Sequence, residues 1–519
     1  MRVRAGLTAI DAAIRHAGKV ALTYEGADTS FIELDRQANL AGSGLIAHGV
    51  TPGSVVGILM YNSPEVVHLW LGCERAGLVR IPLHSHFEMQ THVELLKHLG
   101  SRTIVFDSRM TAIVESRLED LEGFLLICVG HDVPDWAVSW SDVTESGSAA
   151  PHNHEVDENT PAFIQPTTGT TGQPKPWIVT HRSWAAVVNQ NLHHLDTFDD
   201  GIRAFGPHDV VMHVHPLQWA TGFQLLYPGI LRGARTLLVD DSTFDPQAVL
   251  DLMVGEEVTC VFLPAPMLTL ILDAAETRET VEHSIERLVV FFATPELLLR
   301  TSEVFGPVWC HGFGSTEQGA VTTRLRASDI TGHDERLHSV GLPASPFFEV
   351  DIINGRGERA EVGELGEIVV RSAMSTSSYW NLPERTEQAF LDGDWFRPDD
   401  VGYKDADGFL YYIDRAGDSI HTSRGMVYPH TVEGAVLRHR AVANCGVVGN
   451  GAGGVVAAIT LKAGYIDSSD LRTEIRESAI SGLRSHEVPE ILVVEELPTV
   501  LGGAKVQRKV LQEMLVGNR

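Results

Sequence analysis

One run of nine residues has the makings of a phosphate grip: Thr167-Thr168-Gly169-Thr170-Thr171-Gly172-Gln173-Pro174-Lys175. It follows Phe163-Ile164, which reads as the end of a strand. Glycines let a backbone approach phosphate oxygens and adopt positive φ. Threonine hydroxyls and successive N–H groups then supply donors without bulk, and Lys175 adds a point charge. The spacing is not that of the common nucleotide loop, which needs four residues between its first glycine and a Gly-Lys-Ser/Thr. Other chemistries find less support. The histidine pairs His84/His86, His152/His154 and His213/His215 lack a third ligand with a plausible second shell. The five cysteines are scattered and read as buried thiols of a reducing compartment. No Gly-x-Ser-x-Gly elbow for a serine nucleophile stands out.

The elements that must hold such a loop follow from the apolar pattern. At 519 residues the chain is too long for one ordinary core. Residues 54–60 and 78–83 are short apolar runs flanking a helix over 65–76, which makes a βαβ unit of buried parallel strands. Similar runs recur at 103–106, 125–129, 236–239, 259–263 and 288–292. After about residue 345 short strands alternate with Gly/Asp/Asn turns, which predicts a small antiparallel region. Beyond Gly417 a tail of helix, two strands, helix and strand is large enough to fold separately. The expected fold is α/β: a large N-terminal α/β domain over 1–416 with parallel sheets and a small antiparallel region, then a small mobile C-terminal α+β domain over 417–519.

Charge narrows the partners. With 40 Lys+Arg against 68 Asp+Glu, the formal net charge is -28. That surface repels nucleic acid and anionic membranes, so neither is an expected partner. The start Met1-Arg2-Val3-Arg4 is not followed by an unbroken apolar stretch, since Asp11 and Arg15 interrupt it. No run of about 18 apolar residues predicts a membrane span. A cytoplasmic protein is expected.

The loop at 167–175 resembles the signature of the adenylate-forming superfamily, which includes acyl-CoA synthetases, adenylation domains of nonribosomal peptide synthesis and luciferases. The resemblance runs over nearly the whole chain and is strongest to a stand-alone acyl-CoA ligase. It implies that Thr167, Thr168, Gly169, Thr170, Thr171, Gly172 and Lys175 cradle ATP phosphate, with Pro176 where the family usually has glycine. His311-Gly312-Phe313-Gly314-Ser315-Thr316-Glu317 is similar to the family's Tyr-Gly-x-Thr-Glu segment. By that likeness Phe313 stacks on adenine beside Gly314, Thr316 contacts the α-phosphate and Glu317 holds Mg²⁺. Asp400, in Trp395-Phe396-Arg397-Pro398-Asp399-Asp400, matches the aspartate that grips the ribose, and Arg415 the second ribose contact. Asp399 stands where a glycine is usual. Gly417 falls on the hinge, and Ser423, Arg424 and Gly425 on the face that approaches CoA. Lys505, in Gly502-Gly503-Ala504-Lys505, matches the lysine that would bridge the substrate carboxylate and the α-phosphate. Catalysis would thus fall to Lys505, Thr316, Glu317 and Lys175.

Substrate signals are fewer. Trp219 lands on the family's gate, and no aspartate nearby could pair with an amino acid's amine. Phe291 and Phe292 stand where relatives often read Gly-Gly. An apolar, aromatic surround predicts a bulky hydrophobic acid, fatty, aryl or terpenoid. The expected cofactors are ATP, Mg²⁺ and CoA. The expected partners are a carboxylic acid and CoA, or else a carrier-protein thiol; a homodimer is left open. A relative that binds nucleotide and acyl group but has lost catalysis is the remaining alternative.

Overall fold

The computed structural model describes residues 2–4, 7–85, 87–151, 154–168, 174–319, 321–372, 377–422, 424–451, 453–500 and 505–516. Two large sheets dominate it. One has seven strands, in the order Pro174–Thr180, Pro161–Thr168, Val79–Pro82, Val55–Leu59, Thr103–Asp107, Leu125–Val129, Val138–Ser139. All its pairings are parallel except the edge hairpin of Pro161–Thr168 with Pro174–Thr180. The other has nine, in the order Leu342–Pro343, Thr323–Arg326, Trp309–Phe313, Arg287–Phe291, Cys260–Pro264, Val210–His213, Arg235–Leu238, Val20–Tyr24, Ala27–Ser30. Its central pairings are parallel and those at both ends antiparallel.

The central strands are buried along their length, as Val55–Leu59, Thr103–Asp107 and Cys260–Pro264 are. A strand covered on both faces must be apolar throughout, which is why these runs show no polar alternation. Alternate residues feed different cores. From Val210–His213, Val211 joins the core shared by the two sheets, whereas Met212 packs on the far side of its own sheet. The shared core is built around the helices Phe31–Ala47, Pro64–Arg75, His181–Asp196 and Ala220–Arg232. Helices on the outer faces complete a layered α/β/α/β/α arrangement.

The edge hairpin is where the sequence expectation needs correction. The strand does not end near Ile164. It runs to Thr168, and its partner begins at Pro174, so only 169–173 lie between the two strands. Pro166 sits opposite Pro176. Neither has an N–H to donate; Pro176 is on the edge strand, where a sheet tolerates that, and Pro166 lies beyond Phe163, where its strand pairs with Arg80. The outer edge is covered by another segment. Ile178 N–H donates to Ser378 O (2.9 Å) and Trp380 N–H to Pro176 O (2.8 Å). Thr180 then caps the helix His181–Asp196 through a reciprocal box with Ser183. Trp184 of that helix packs near-perpendicular to Phe163, Phe223 and Tyr227, with ring centroids at 5.1, 5.7 and 4.3 Å. Each such pair adds about 0.5–1.5 kcal/mol beyond burial. These rings tie the hairpin to the helix Ala220–Arg232.

The antiparallel region has six strands between Glu349 and Arg415. Antiparallel pairing begins earlier than expected, at Thr323–Arg326 and Leu342–Pro343 on the edge of the nine-stranded sheet. The tail holds a three-stranded sheet, Val442–Gly449, Val455–Leu461 and Glu490–Val493, with helices Pro429–Leu437 and Ser469–Ile480. It has an apolar cluster of its own around Val432, Val447, Ile459 and Ile475.

Candidate active site

The charged groups of four separate sequence motifs meet beside the edge hairpin. Lys175 is held by pairing, opposite Thr167. Burial holds the Lys175 ammonium below the ordinary lysine pKa, and Arg385 acts in the same direction; Glu317 and Asp399 oppose the shift, and Arg415 again lowers it. A partly buried lysine among two guanidiniums and two carboxylates suits a group that meets an anion. Net charge is a poor guide here: a chain of -28 gathers Lys175, Arg385 and Arg415 at one place.

Glu317 is presented by a turn after the strand Trp309–Phe313. Gln318 fixes that turn: its Oε1 accepts from Ser315 N–H (3.0 Å) and from the Thr322 hydroxyl (2.6 Å). The Tyr379 hydroxyl donates to Glu317 Oε1 (2.9 Å). Tyr379 belongs to the segment that covers the hairpin edge, and its ring packs on Trp177 at 4.9 Å. Burial pushes its phenol well above the ordinary range, and the Glu317 charge adds to that, so the group stays a donor. Gln318, Tyr379 and Arg385 escaped the sequence reading. Their partners are 62 residues away in the case of Tyr379, and no local pattern marks them.

Asp400 and Arg415 face each other across the strands Asp400–Lys404 and Leu410–Arg415, with Arg415 Nε 2.9 Å from Asp400 Oδ1. Sequence likeness gave them one ligand, and the register gives them each other. Beside them Asp399 has φ 64°, the left-handed conformation that a glycine adopts freely and that aspartate tolerates better than most residues. The ring of Phe313 is half-buried against Tyr412, centroids 5.6 Å apart. Thr316 shares the turn with Glu317 and is half-buried; Gly314 is exposed.

The residues read as the acyl pocket belong to the nine-stranded sheet and to the helix Ala220–Arg232. Phe291 stands opposite Gly312 and packs on Phe262, rings 6.0 Å apart. A Cβ on Gly312 would sit 3.1 Å from the Phe291 ring, so a larger residue there would press on that ring. Phe291 is therefore partly core. Phe292 is 58% exposed at φ 62°, an uncommon conformation for a bulky side chain. Trp219 is half-buried at the N-terminal end of Ala220–Arg232, its ring 5.8 Å from His215.

The remaining residues lie in or next to the tail. Gly417 is exposed in the turn Ala416–Asp418, its φ is not left-handed and a Cβ would meet nothing within 4 Å. The local backbone thus does not demand glycine there. Asp414, three residues before it, is buried; its carboxylate accepts from Arg415 N–H (2.7 Å) and from His430 N–H (2.6 Å) in the first turn of Pro429–Leu437. Arg424 and Gly425 are exposed on the hairpin of Ile420–Thr422 with Gly425–Val427. Gly425, at φ 143°, does require a residue without Cβ. Lys505 opens the strand Lys505–Val506, opposite Val500. Arg508 anchors the following helix to Glu433 (2.7 Å) and Asp418 (3.1 Å). Gly169, Thr170, Thr171, Gly172 and Ser423 lie outside the described residues, as does the side chain of Thr168 and that of Lys505. Among the described residues no group of three His, Cys, Asp or Glu stands close enough to hold a metal by itself, and no helix is long and apolar enough to cross a membrane.

Residues 10–380 match the AMP-binding enzyme family. The chain belongs to that family. Residues 431–501 match the C-terminal domain of AMP-binding enzymes. Among relatives, the chain is 28% identical to the indoleacetate–CoA ligase of Aromatoleum aromaticum, over 96% of this chain and 97% of that one. It is 30% identical to a medium/long-chain-fatty-acid–CoA ligase of Mycobacterium tuberculosis, over 78% of this chain and 70% of that one. The structure of an anthranilate CoA ligase in complex with anthranoyl-AMP superposes with a TM-score of 0.87, covering 99% and 98% of the two chains at 22% identity. At that identity the likeness is one of fold.

Proposed function

We propose that this AMP-binding enzyme is an acyl-CoA synthetase that activates a bulky, largely hydrophobic carboxylic acid with ATP and passes the acyl group to CoA. The supporting observation is the convergence of Lys175, Glu317, Asp400 and Arg415 from distant motifs at one place. The names of the relatives, which act on aromatic and fatty acids, support the substrate class. We assign residues 1–416 to the adenylating domain and 417–519 to a lid, in a cytoplasmic enzyme.

In the first step a carboxylate oxygen attacks the α-phosphorus of ATP, the bond to the bridging oxygen breaks, and pyrophosphate leaves acyl-AMP. Lys175 and the Thr/Gly loop hold phosphate, Asp400 and Arg415 the ribose, and Phe313 the adenine. Thr316 and Lys505 meet the α-phosphate, where charge builds up as the fifth bond forms. Positioning is most of the work. Glu317 fits Mg²⁺, an ion that takes one or two protein carboxylates and fills its shell with water and phosphate oxygens. Bound there it would neutralise phosphate charge. In the second step rotation about Gly417 withdraws Lys505 and brings up the face at 423–425. The thiol sulfur attacks the acyl carbonyl, AMP leaves with the bonding pair, and the thiol proton passes to the medium.

The test is acid-dependent ATP–pyrophosphate exchange over a panel of fatty, aryl and terpenoid acids, followed by product analysis with CoA and with a carrier protein. Exchange with at least one acid and a CoA thioester product are expected. ATP binding without exchange for any acid would instead identify a relative that has lost catalysis.

A further inference from the structure

Two histidines sit where the apolar reading of the acyl pocket has no use for them. His213 ends the strand Val210–His213 and His215 follows it; they are 0% and 1% exposed, with rings 6.2 Å apart. Strand alternation puts His213 on the same face as Val211, the face that carries Phe262 and Phe291 on neighbouring strands. That face runs on to Gly312, three residues before Ser315, where the turn that presents Thr316 and Glu317 begins. His215 touches the gate tryptophan Trp219.

Neither nitrogen of either ring has a hydrogen-bond partner in another described residue, and His215 reaches no farther than its own backbone. Buried polar groups are nearly always paired, so two buried imidazoles with no partner on another residue call for a counterpart from outside the fold. Burial holds His213 at about 3 and His215 at about 4, so both rings are neutral at physiological pH. A neutral imidazole offers one donor and one acceptor. It matches a hydroxyl or amine, which can both give and take, and it cannot offset a buried second charge.

We propose that His213 and His215 recognise an uncharged hydrogen-bonding substituent, hydroxyl or amino, on the ring of an aryl acid whose carboxylate lies toward Thr316. The flat walls of Phe262, Phe291 and Trp219 hold the ring, and the two imidazoles read the group at its far end. This rests on the proposed carboxylate activation and narrows its substrate from any bulky hydrophobic acid to a polar-substituted aromatic one.

The experiment is pyrophosphate exchange with arylacetic and arylpropenoic acids, each as the unsubstituted, methyl, hydroxyl and amino ring forms. For at least one ring position kcat/KM should favour hydroxyl or amino over the near-isosteric methyl by about tenfold, the worth of one to two hydrogen bonds. In His213→Phe and His215→Leu that ratio should collapse toward one. His213→Gln, which keeps a donor and an acceptor, should restore part of it and covers the case in which the apolar variants fail to fold. A wild type that prefers methyl or plain aliphatic acids, or variants that slow all acids equally, would overturn the inference while leaving carboxylate activation intact. No exchange with any acid would remove both together.

Discussion

The two ends of the proposed site treat polar groups in opposite ways. At the phosphate end charges answer one another: Asp400 meets Arg415, Asp399 meets Arg385 at 3.4 Å, and Glu317 takes the Tyr379 hydroxyl. At the acyl end His213 and His215 are drier and answer no other described residue. A site that is mutually paired when empty is pre-organised, and its ligand must compete for donors already in place. A site with orphaned groups carries its cost in the free protein and regains it only with a ligand of the right kind. The first arrangement suits a nucleotide common to a whole family, the second a substrate particular to one member.

Four changes would break or sharpen that contrast. Lys505→Ala should have the largest effect, lowering acid-dependent pyrophosphate exchange by about a thousandfold. Thioester formation from supplied acyl-AMP should stay within a few-fold; equal loss of both steps in a folded variant would remove Lys505 from the first step. Asp400→Asn comes next. It keeps the shape, removes the charge opposite Arg415, and should raise the KM for ATP by about ten- to a hundredfold, read from exchange kinetics at saturating acid. Tyr379→Phe deletes one donor to Glu317 and should lower kcat by about fivefold with a higher Mg²⁺ requirement, measured by magnesium titration. His213→Phe should go the other way in stability. Removing two unpaired buried nitrogens should leave the urea midpoint unchanged or raise it, by about 1 kcal/mol in unfolding free energy. A fall of several kcal/mol would mean that His213 is bonded within the fold after all.

Much of the architecture could be read from the residues because parallel strands announce themselves. Val55–Leu59, Thr103–Asp107 and Cys260–Pro264 are mostly apolar runs buried along their length, and the tail's helix, two strands, helix and strand follow in the order their pattern predicts. The edge hairpin was harder. Thr167, Thr168 and Pro174 carry turn composition, and only the cross-strand partner reveals that the chain is extended there. Within the site, Lys175, Glu317, Asp400 and Arg415 were visible because motifs carry them. Gln318, Tyr379 and Arg385 were not, because their contacts form only once distant segments pack. His213 and His215 were weighed as metal ligands and set aside; what they lack in partners is a property of burial, which spacing does not report.

One bond has a kinetic consequence. Asp414 and His430 lie on opposite sides of Gly417, and the Asp414 carboxylate holds the free N–H at the start of Pro429–Leu437. A swing of the tail about Gly417 has to pull that helix end off its anion. Under the proposed rotation about Gly417 the joint would be a catch and not a free swivel. In each turnover the strength of this bond would set how long the enzyme dwells in one pose before it resets.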